Sequence, residues 1–129
     1  MGITGARVKK LKKIIEATDA KIVLTSSWRV AYWSYLSDRT NRMGKYLYNK
    51  LRKENLIILD TTTTRGCARG KGILQWLSEH PDTQQWIILD DEIFDDYDNT
   101  ILSHLIKTNE QTGLTDELAN KAIELLNND

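Results

Sequence analysis

Two aspartates at the end of an apolar run are the residues of this sequence best suited to chemistry. Asp90 and Asp91 follow the run "WIIL" (86–89), and further acids come soon after them. Adjacent carboxylates repel each other, so the pair favours a bound cation or a shared proton. Hard oxygen ligands with room left for water suit Mg²⁺. The pair is therefore a candidate magnesium site, although a helix cap beside a solvated acid would produce the same pattern.

Hydroxyl and cationic side chains follow two other short segments. Thr25 and Ser26 come directly after "KIVL" (21–24), where hydroxyls and backbone N–H groups can hold a phosphate oxygen. Arg69 and Lys71 stand ahead of the next predicted helix, and either cation could neutralise phosphate charge. Each segment alone could be a helix cap or a solvated basic loop. Together with a magnesium pair, they indicate phosphoryl chemistry.

The apolar pattern predicts short strands that alternate with helices. The predicted strands are the β-branched or leucine-rich runs at 20–27, 56–60, 86–91 and 104–108. The predicted helices carry apolar residues three and four positions apart: a first helix that begins near Thr4 or Gly5 and includes Val8 to Ile15, then 41–53, 72–80, and a last helix that Thr115 caps. The segment from Asn41 to Lys53 carries Met43, Leu47 and Leu51 four positions apart, which predicts a helix.

This alternation predicts an α/β fold: a three-layer, Rossmann-like parallel sheet with helices on both faces. We expect one domain over residues 1–129, because the 129-residue chain has no repeat and no Pro/Gly/Ser-rich linker. Ligands of such sheets lie beyond the carboxyl ends of the strands. Three predicted strands end in polar side chains, at Thr25–Ser27, Asp60 and Asp90–Asp91. We therefore expect these side chains to converge on one site.

Charge is divided between the two halves of the chain. Residues 1–72 hold sixteen Lys/Arg and five Asp/Glu, whereas residues 73–129 hold two and thirteen. A basic half can contact nucleic acid or phosphate, or the halves can attract each other within one fold. No stretch is apolar enough to cross a bilayer, so we expect no membrane contact. A single cysteine, Cys67, fits a reducing cytoplasm.

The blocks "KIVLTSSWR", "RGKGILQWLSEHP", "WIILDDE" and "LIKTNEQTGLTDELANKAIELL" together resemble the haloacid dehalogenase (HAD) superfamily. More narrowly, they resemble the HAD domain of Swiss-army-knife RNA-repair proteins, over residues 8–127. The resemblance implies a Mg²⁺-dependent phosphohydrolase that passes through an aspartyl-phosphate. It implies that Ser26 or Thr25 binds phosphate, that Arg69 or Lys71 neutralises it, and that Asp90 and Asp91 bind Mg²⁺. The substrate would be a phosphorylated small molecule or nucleic-acid end.

One family motif has no counterpart at its expected place. The family's nucleophile lies in a D-x-D motif at the end of an apolar strand that precedes the helix at Val8, and only seven residues precede Val8 here. "DYDNT" (96–100) matches the motif in letters but follows no apolar strand, so we interpret it as unrelated. The missing strand would be central, between the strands that end at Ser26 and Asp90. Those strands must then pair directly, or another chain must fill the gap.

Three situations follow as expectations. The native start could lie upstream; the chain could be a remnant without hydrolase activity; or two copies could complement each other's sheets in a homodimer. Whether the chain is an enzyme is therefore left open. The alternative is a non-catalytic module that binds phosphate, a nucleotide or RNA. In that case the aromatic and basic residues of 28–42 would stack on bases, or they would simply pack beneath a loop.

Overall fold

The fold alternates helices and strands in the order expected from the sequence. The computed structural model describes residues 5–25, 35–36, 38–62, 68–109 and 111–127. The elements are α1 (Gly5–Thr18), β1 (Ile22–Leu24), α2 (Arg42–Lys53), β2 (Ile58–Thr61), α3 (Arg69–Glu79), β3 (Ile88–Asp90), α4 (Asn99–Ser103), β4 (Leu105–Lys107) and α5 (Asp116–Asn127). The predicted α/β class is confirmed. The short helix α4 was not predicted, because five residues carry too little periodicity.

Helix α2 begins and ends at residues that suit helix ends. The Asn41 side chain accepts a hydrogen bond from Gly44 N at 2.8 Å and caps the first turn. Asn55, with φ of 61°, follows the last turn, and its N–H donates to Arg52 O at 2.9 Å. Leu47 and Leu51 are buried, whereas Met43, which shares their four-residue spacing, is 59% exposed. The buried stripe therefore runs through Gly44, one position later than Met43.

The parallel sheet lies in two pieces. β1 pairs with β2, and β3 pairs with β4, each in parallel. Within the described residues, no strand of the first pair is hydrogen-bonded to a strand of the second. The direct pairing of β1 with β3, one of the two arrangements expected from the sequence, is not observed. All three residues of β1 are only half-buried, which is unusual for a strand in a covered parallel sheet.

Helix α1 packs against both pieces of the sheet. Leu11 of α1 packs against the cluster that contains Ile58 and also against the cluster that contains Ile106. On β3, Leu89 packs with the α1–α5 cluster, whereas Ile88 packs against α3. Successive strand residues point to opposite faces, so α1 and α3 cover opposite faces of the β3–β4 sheet. This layering places the start of α3 beside the end of β3.

Among the helices that the structure describes, none combines the length and the apolar character that crossing a bilayer would require.

Candidate functional site

Asp90 lies at the carboxyl end of β3 and is the most connected polar side chain of this region. It is 6% exposed. Its Oδ2 accepts hydrogen bonds from Arg69 Nη1 at 3.0 Å and from the Tyr97 hydroxyl at 2.7 Å. Its Oδ1 accepts from Glu92 N at 3.1 Å. The buried carboxylate is thus neutralised by a cation and satisfied by two further donors, as burial of a charge requires.

Arg69, the first residue of α3, is held in place by two neighbours. Besides the ion pair with Asp90, its guanidinium carbon lies 4.0 Å from the centroid of the Phe94 ring. Its side chain is 17% exposed. Lys71, the other candidate cation, is exposed. Arg69 is therefore the cation that the fold places beside the predicted metal pair, while the phosphate-binding role of both residues remains a prediction.

Asp96 caps the beginning of α3. Its two carboxylate oxygens accept from Gly70 N at 3.0 Å and from Lys71 N at 2.9 Å. Asp98 caps α4 by accepting from Ile101 N at 2.9 Å. Both aspartates of "DYDNT" are thus helix caps in the structure. This agrees with the interpretation that the segment is unrelated to the family's D-x-D motif.

Tyr97 lies between these two caps and is buried. Burial is the main cause that raises the pKa of its hydroxyl, and the hydrogen bond to Asp90 raises it further. The nearby Arg69 acts in the opposite direction. The phenol therefore stays protonated and donates to Asp90, which fixes the carboxylate from a second side.

Of the two predicted hydroxyl residues, Thr25 lies in the described part of the chain. Thr25 follows β1 and is half-buried, whereas Ser26 lies outside the described residues. A hydroxyl that the sequence did not single out is Thr108, which follows β4. Its N–H donates to Asp90 O at 2.8 Å, and within the described part of the chain its buried Oγ1 has no hydrogen-bond partner. The strand register places Thr108 beside the end of β3, which the sequence alone could not reveal.

Asp90, the first residue of the predicted metal pair, already accepts three hydrogen bonds. Asp90 Oδ2 is already shared between a guanidinium and a phenol, but Oδ1 accepts one N–H and retains a free lone pair. Asp91 is half-buried, next to it in the chain. In the segments that the structure describes, no group of three His, Cys, Asp or Glu side chains could hold a metal. The donors present therefore fit a hydrated Mg²⁺ bound by one or two carboxylates, as this ion often is.

A second polar cluster lies at the end of β2. Asp60 Oδ2 accepts from Trp76 Nε1 at 2.7 Å, and the His80 ring stacks on the Trp76 ring at a centroid distance of 3.8 Å. A small cavity of about 70 Å³ opens here; its lining includes Asp60, Thr61, Thr62 and Trp76. Trp76 is half-buried and contributes to this polar cluster. Asp60, which was expected to converge with Asp90, accepts this hydrogen bond from the indole of α3.

The comparisons with known proteins identify the family. A family model described as the HAD domain in Swiss Army Knife RNA repair proteins matches residues 4–119. Neither the curated proteins nor the solved structures contain a match to this chain. The family match covers most of the sequence and includes all six predicted site residues. The chain therefore belongs to the HAD domain family of Swiss Army Knife RNA repair proteins, and its lineage is that of HAD-like hydrolases.

Proposed function

We propose that this domain binds a phosphate monoester at the carboxyl ends of β1 and β3, with Arg69 as the cation that contacts the phosphate. The hydroxyl of Ser26 or Thr25 would hold a second phosphate oxygen. The observation that carries the proposal is the position of Arg69, which is fixed beside Asp90 yet remains 17% exposed. A guanidinium offers five N–H donors, so the bond to Asp90 leaves others for a ligand.

Magnesium is the cofactor that this site would take. Asp91 and the Oδ1 atom of Asp90 would hold the ion, together with its own water. The ion would supply positive charge against the phosphate oxygens, which favours both binding and displacement at phosphorus. Arg69 already balances the charge of Asp90, so we expect the ion to bind weakly and to depend strongly on Asp91.

Binding is better supported than hydrolysis by the residues at this site. Attack on phosphorus through an aspartyl-phosphate needs a carboxylate that is free to act as a nucleophile. Asp90 is held by Arg69, Tyr97 and Glu92 N, and each oxygen of Asp96 accepts a backbone N–H. We therefore propose that phosphate binding is the function of the residues described here, and that hydrolysis requires a further carboxylate.

A self-complementing homodimer is the second candidate, favoured by the separation of the two sheets. A strand from a second copy could pair with the edges of β1 and β3 that have no partner strand among the described residues, and it could bring a carboxylate with it. Light scattering tests this idea, because a dimer would have twice the 14.9 kDa mass of one chain. A monomer at high protein concentration would contradict it, without affecting the phosphate proposal.

Calorimetric titration with inorganic phosphate and with orthovanadate tests the phosphate site. We expect Arg69→Ala to weaken binding about tenfold or more, since hydrogen bonds to charged groups contribute roughly 1.5–3 kcal/mol each. Lys71→Ala is the matched control and should bind like the original protein. Ser26→Ala should also weaken binding. Arg69→Lys, with a circular dichroism spectrum of the native form, separates loss of the ligand contact from loss of the fold.

The outcomes distinguish the alternatives. Equal binding by the original protein and by Arg69→Ala would remove Arg69 from the site, and a loss in Lys71→Ala alone would transfer its role to Lys71. For the metal, Mg²⁺ should raise the melting temperature of the original protein but not that of Asp91→Asn. An unchanged Mg²⁺ effect in that variant would rule out the metal assignment. Oligonucleotides with and without a terminal phosphate then show whether the ligand is a nucleic-acid end or a small molecule.

A further inference from the structure

Helix α2 is the most strongly basic element in the described part of the chain. It contains five basic residues and no acidic residue: Arg42, Lys45, Lys50, Arg52 and Lys53. Four of the five are exposed, and Lys50 is half-buried. The exposed cations occur three, seven and eight positions apart or next to each other, so they extend along three turns on the side opposite the buried stripe. A helix of this length presents that charge over roughly 18 Å.

The cations of α2 differ from those of α1 in their partners. In α1, Lys10 and Lys13 contact Asp116, and Lys12 contacts Glu54. Among the described residues, none of the five α2 cations forms an ion pair with a carboxylate. The attraction between the two halves of the chain therefore uses α1 and leaves the charge of α2 available to an outside anion.

Tyrosine rings are interleaved with these cations. The Arg39 guanidinium carbon lies 4.7 Å from the Tyr35 ring centroid and 5.9 Å from that of Tyr48. Arg52 Nη1 donates to the Tyr48 hydroxyl at 2.7 Å. Tyr46 is 42% exposed, and the Lys50 ammonium lies 5.5 Å from its ring centroid. These contacts order Arg39, Lys50 and Arg52, which lowers the entropic cost of fixing those three side chains on a ligand.

The apolar side of α2 is already used by the fold. Leu47 and Leu51 pack into the cluster with Val8 and Ile58. A basic amphipathic helix that binds a membrane inserts its apolar face into the lipid, and α2 cannot do so while it packs on the core. The face that remains combines positive charge with aromatic rings. Grooves for single-stranded nucleic acid combine these same two features.

We propose that the outward face of α2, defined by Arg42, Lys45, Tyr46, Arg52 and Lys53, binds the sugar–phosphate backbone of single-stranded nucleic acid. Phosphates would pair with the cations, and a base could stack on the tyrosine ring. This surface extends the proposed function, because it would hold the strand whose end the Arg69 site receives. It does not depend on that site, since it needs no terminal phosphate.

The test is fluorescence anisotropy with a labelled oligouridylate, on the order of twelve nucleotides long, that has hydroxyl groups at both ends. We expect the triple variant Arg42→Gln, Lys45→Gln, Lys53→Gln to bind the oligonucleotide at least about tenfold more weakly than the original protein. The slope of log K against log salt should fall by about 2, because each lost phosphate contact in a single strand removes about 0.7. Arg52 is left unchanged to keep its bond to Tyr48.

The matched control replaces three exposed lysines on other elements, Lys9, Lys107 and Lys121, by glutamine. It has the same change in net charge and should bind within about twofold of the original protein. Equal weakening by both triple variants would overturn the proposal, because binding would then follow net charge alone. Tighter binding to polyglutamate or to anionic vesicles than to the oligonucleotide at equal salt would also overturn it.

Arg69→Ala keeps this test separate from the test of the phosphate site. If only the phosphate proposal is wrong, phosphate titration does not distinguish this variant from the original protein, while the α2 triple variant still loses binding of the hydroxyl-ended oligonucleotide. If only the α2 proposal is wrong, the oligonucleotide does not discriminate the two triple variants, while phosphate titration still depends on Arg69.

Discussion

Arg69 and Asp90 form an ion pair, 3.0 Å from Nη1 to Oδ2, that joins the first residue of α3 to the last residue of β3. The two residues are 21 positions apart in the chain. The pair is partly buried, and both partners have further contacts, Arg69 with Phe94 and Asp90 with Tyr97. It therefore fixes the place where helix and strand meet, which is also where the predicted phosphate and metal residues meet.

Removing one partner of this pair should destabilise the fold. Asp90→Ala leaves the guanidinium and the phenol without their acceptor, and breaking a buried pair costs about 3 kcal/mol of unfolding free energy. Urea unfolding measures the loss. Asp91→Asn is the control and should change stability by less than about 0.5 kcal/mol, as exposed or half-exposed sites usually do. In a double-mutant cycle, Arg69→Met with Asp90→Leu should cost clearly less than the sum of the two single variants.

Gly70→Ala should destabilise the protein, although alanine favours helices. Propensity alone would stabilise helix α3 by up to about 1 kcal/mol. A Cβ atom at Gly70, however, would lie 2.5 Å from the backbone oxygen of Asp96 and 2.9 Å from its carboxylate, the group that caps α3. The cap must then move away, at a cost of about 1–3 kcal/mol. Thermal unfolding gives the sign, with Ser78→Ala on the exposed side of the same helix as the control. A melting temperature above that of the original protein would contradict the close packing of Asp96 on Gly70.

The sequence predicted the elements well because each carries its own local signal. The apolar runs gave β1 to β4 within two to three residues, and Asn41 marked the beginning of α2. Met43 is exposed although it shares the spacing of Leu47 and Leu51, because a repeat of four positions drifts around a helix of 3.6 residues per turn. The pairing of strands into two separate sheets depends on contacts between distant segments, and local patterns do not encode such contacts.

The sequence identified residues of the candidate site but not the contacts between them. Asp90 and Arg69 were both identified from their types and positions, yet as separate metal and phosphate groups. Their ion pair arises because α3 packs on β3, where Ile73 and Ile88 belong to the same hydrophobic cluster. Tyr97 and Thr108 were missed for the same reason. Each has an ordinary local context and becomes part of the site through its contact with Asp90.

Tyr97 should make stability sensitive to high pH. Its pKa is raised in the folded protein, so the native state keeps the proton that an unfolded tyrosine releases near about pH 10. The stability contributed by its hydroxyl is complete below that pH and is lost progressively as the pH rises above it. Tyr97→Phe should therefore be less stable than the original protein at neutral pH, and the difference should shrink above about pH 10.

Ultraviolet absorbance titration gives a second readout of Tyr97. The difference between the original protein and Tyr97→Phe reports the ionisation of this one phenol, which should occur well above about pH 10. Asp90→Asn should move that ionisation to lower pH, because the carboxylate contributes to the raised pKa. An unchanged difference in melting temperature from pH 8 to 11 would show that the Tyr97 hydroxyl is not buried against Asp90.

Ile101 and Leu102 provide a direct test of the packing of α4, the helix that the sequence did not predict. Ile101 is fully buried at 0% exposure in the cluster with Ile73 and Ile88, whereas Leu102 is 39% exposed. Ile101→Ala should lower the unfolding free energy by about 2–5 kcal/mol, because it removes buried methyl groups and leaves a cavity. Leu102→Ala removes a side chain of similar size from the same short helix, and it should cost less than about 1 kcal/mol. Equal losses in urea unfolding would mean that α4 is oriented differently, and α4 is held by the Asp98 cap next to Tyr97. A different orientation of α4 would therefore also change the position of Tyr97 and its hydrogen bond to Asp90.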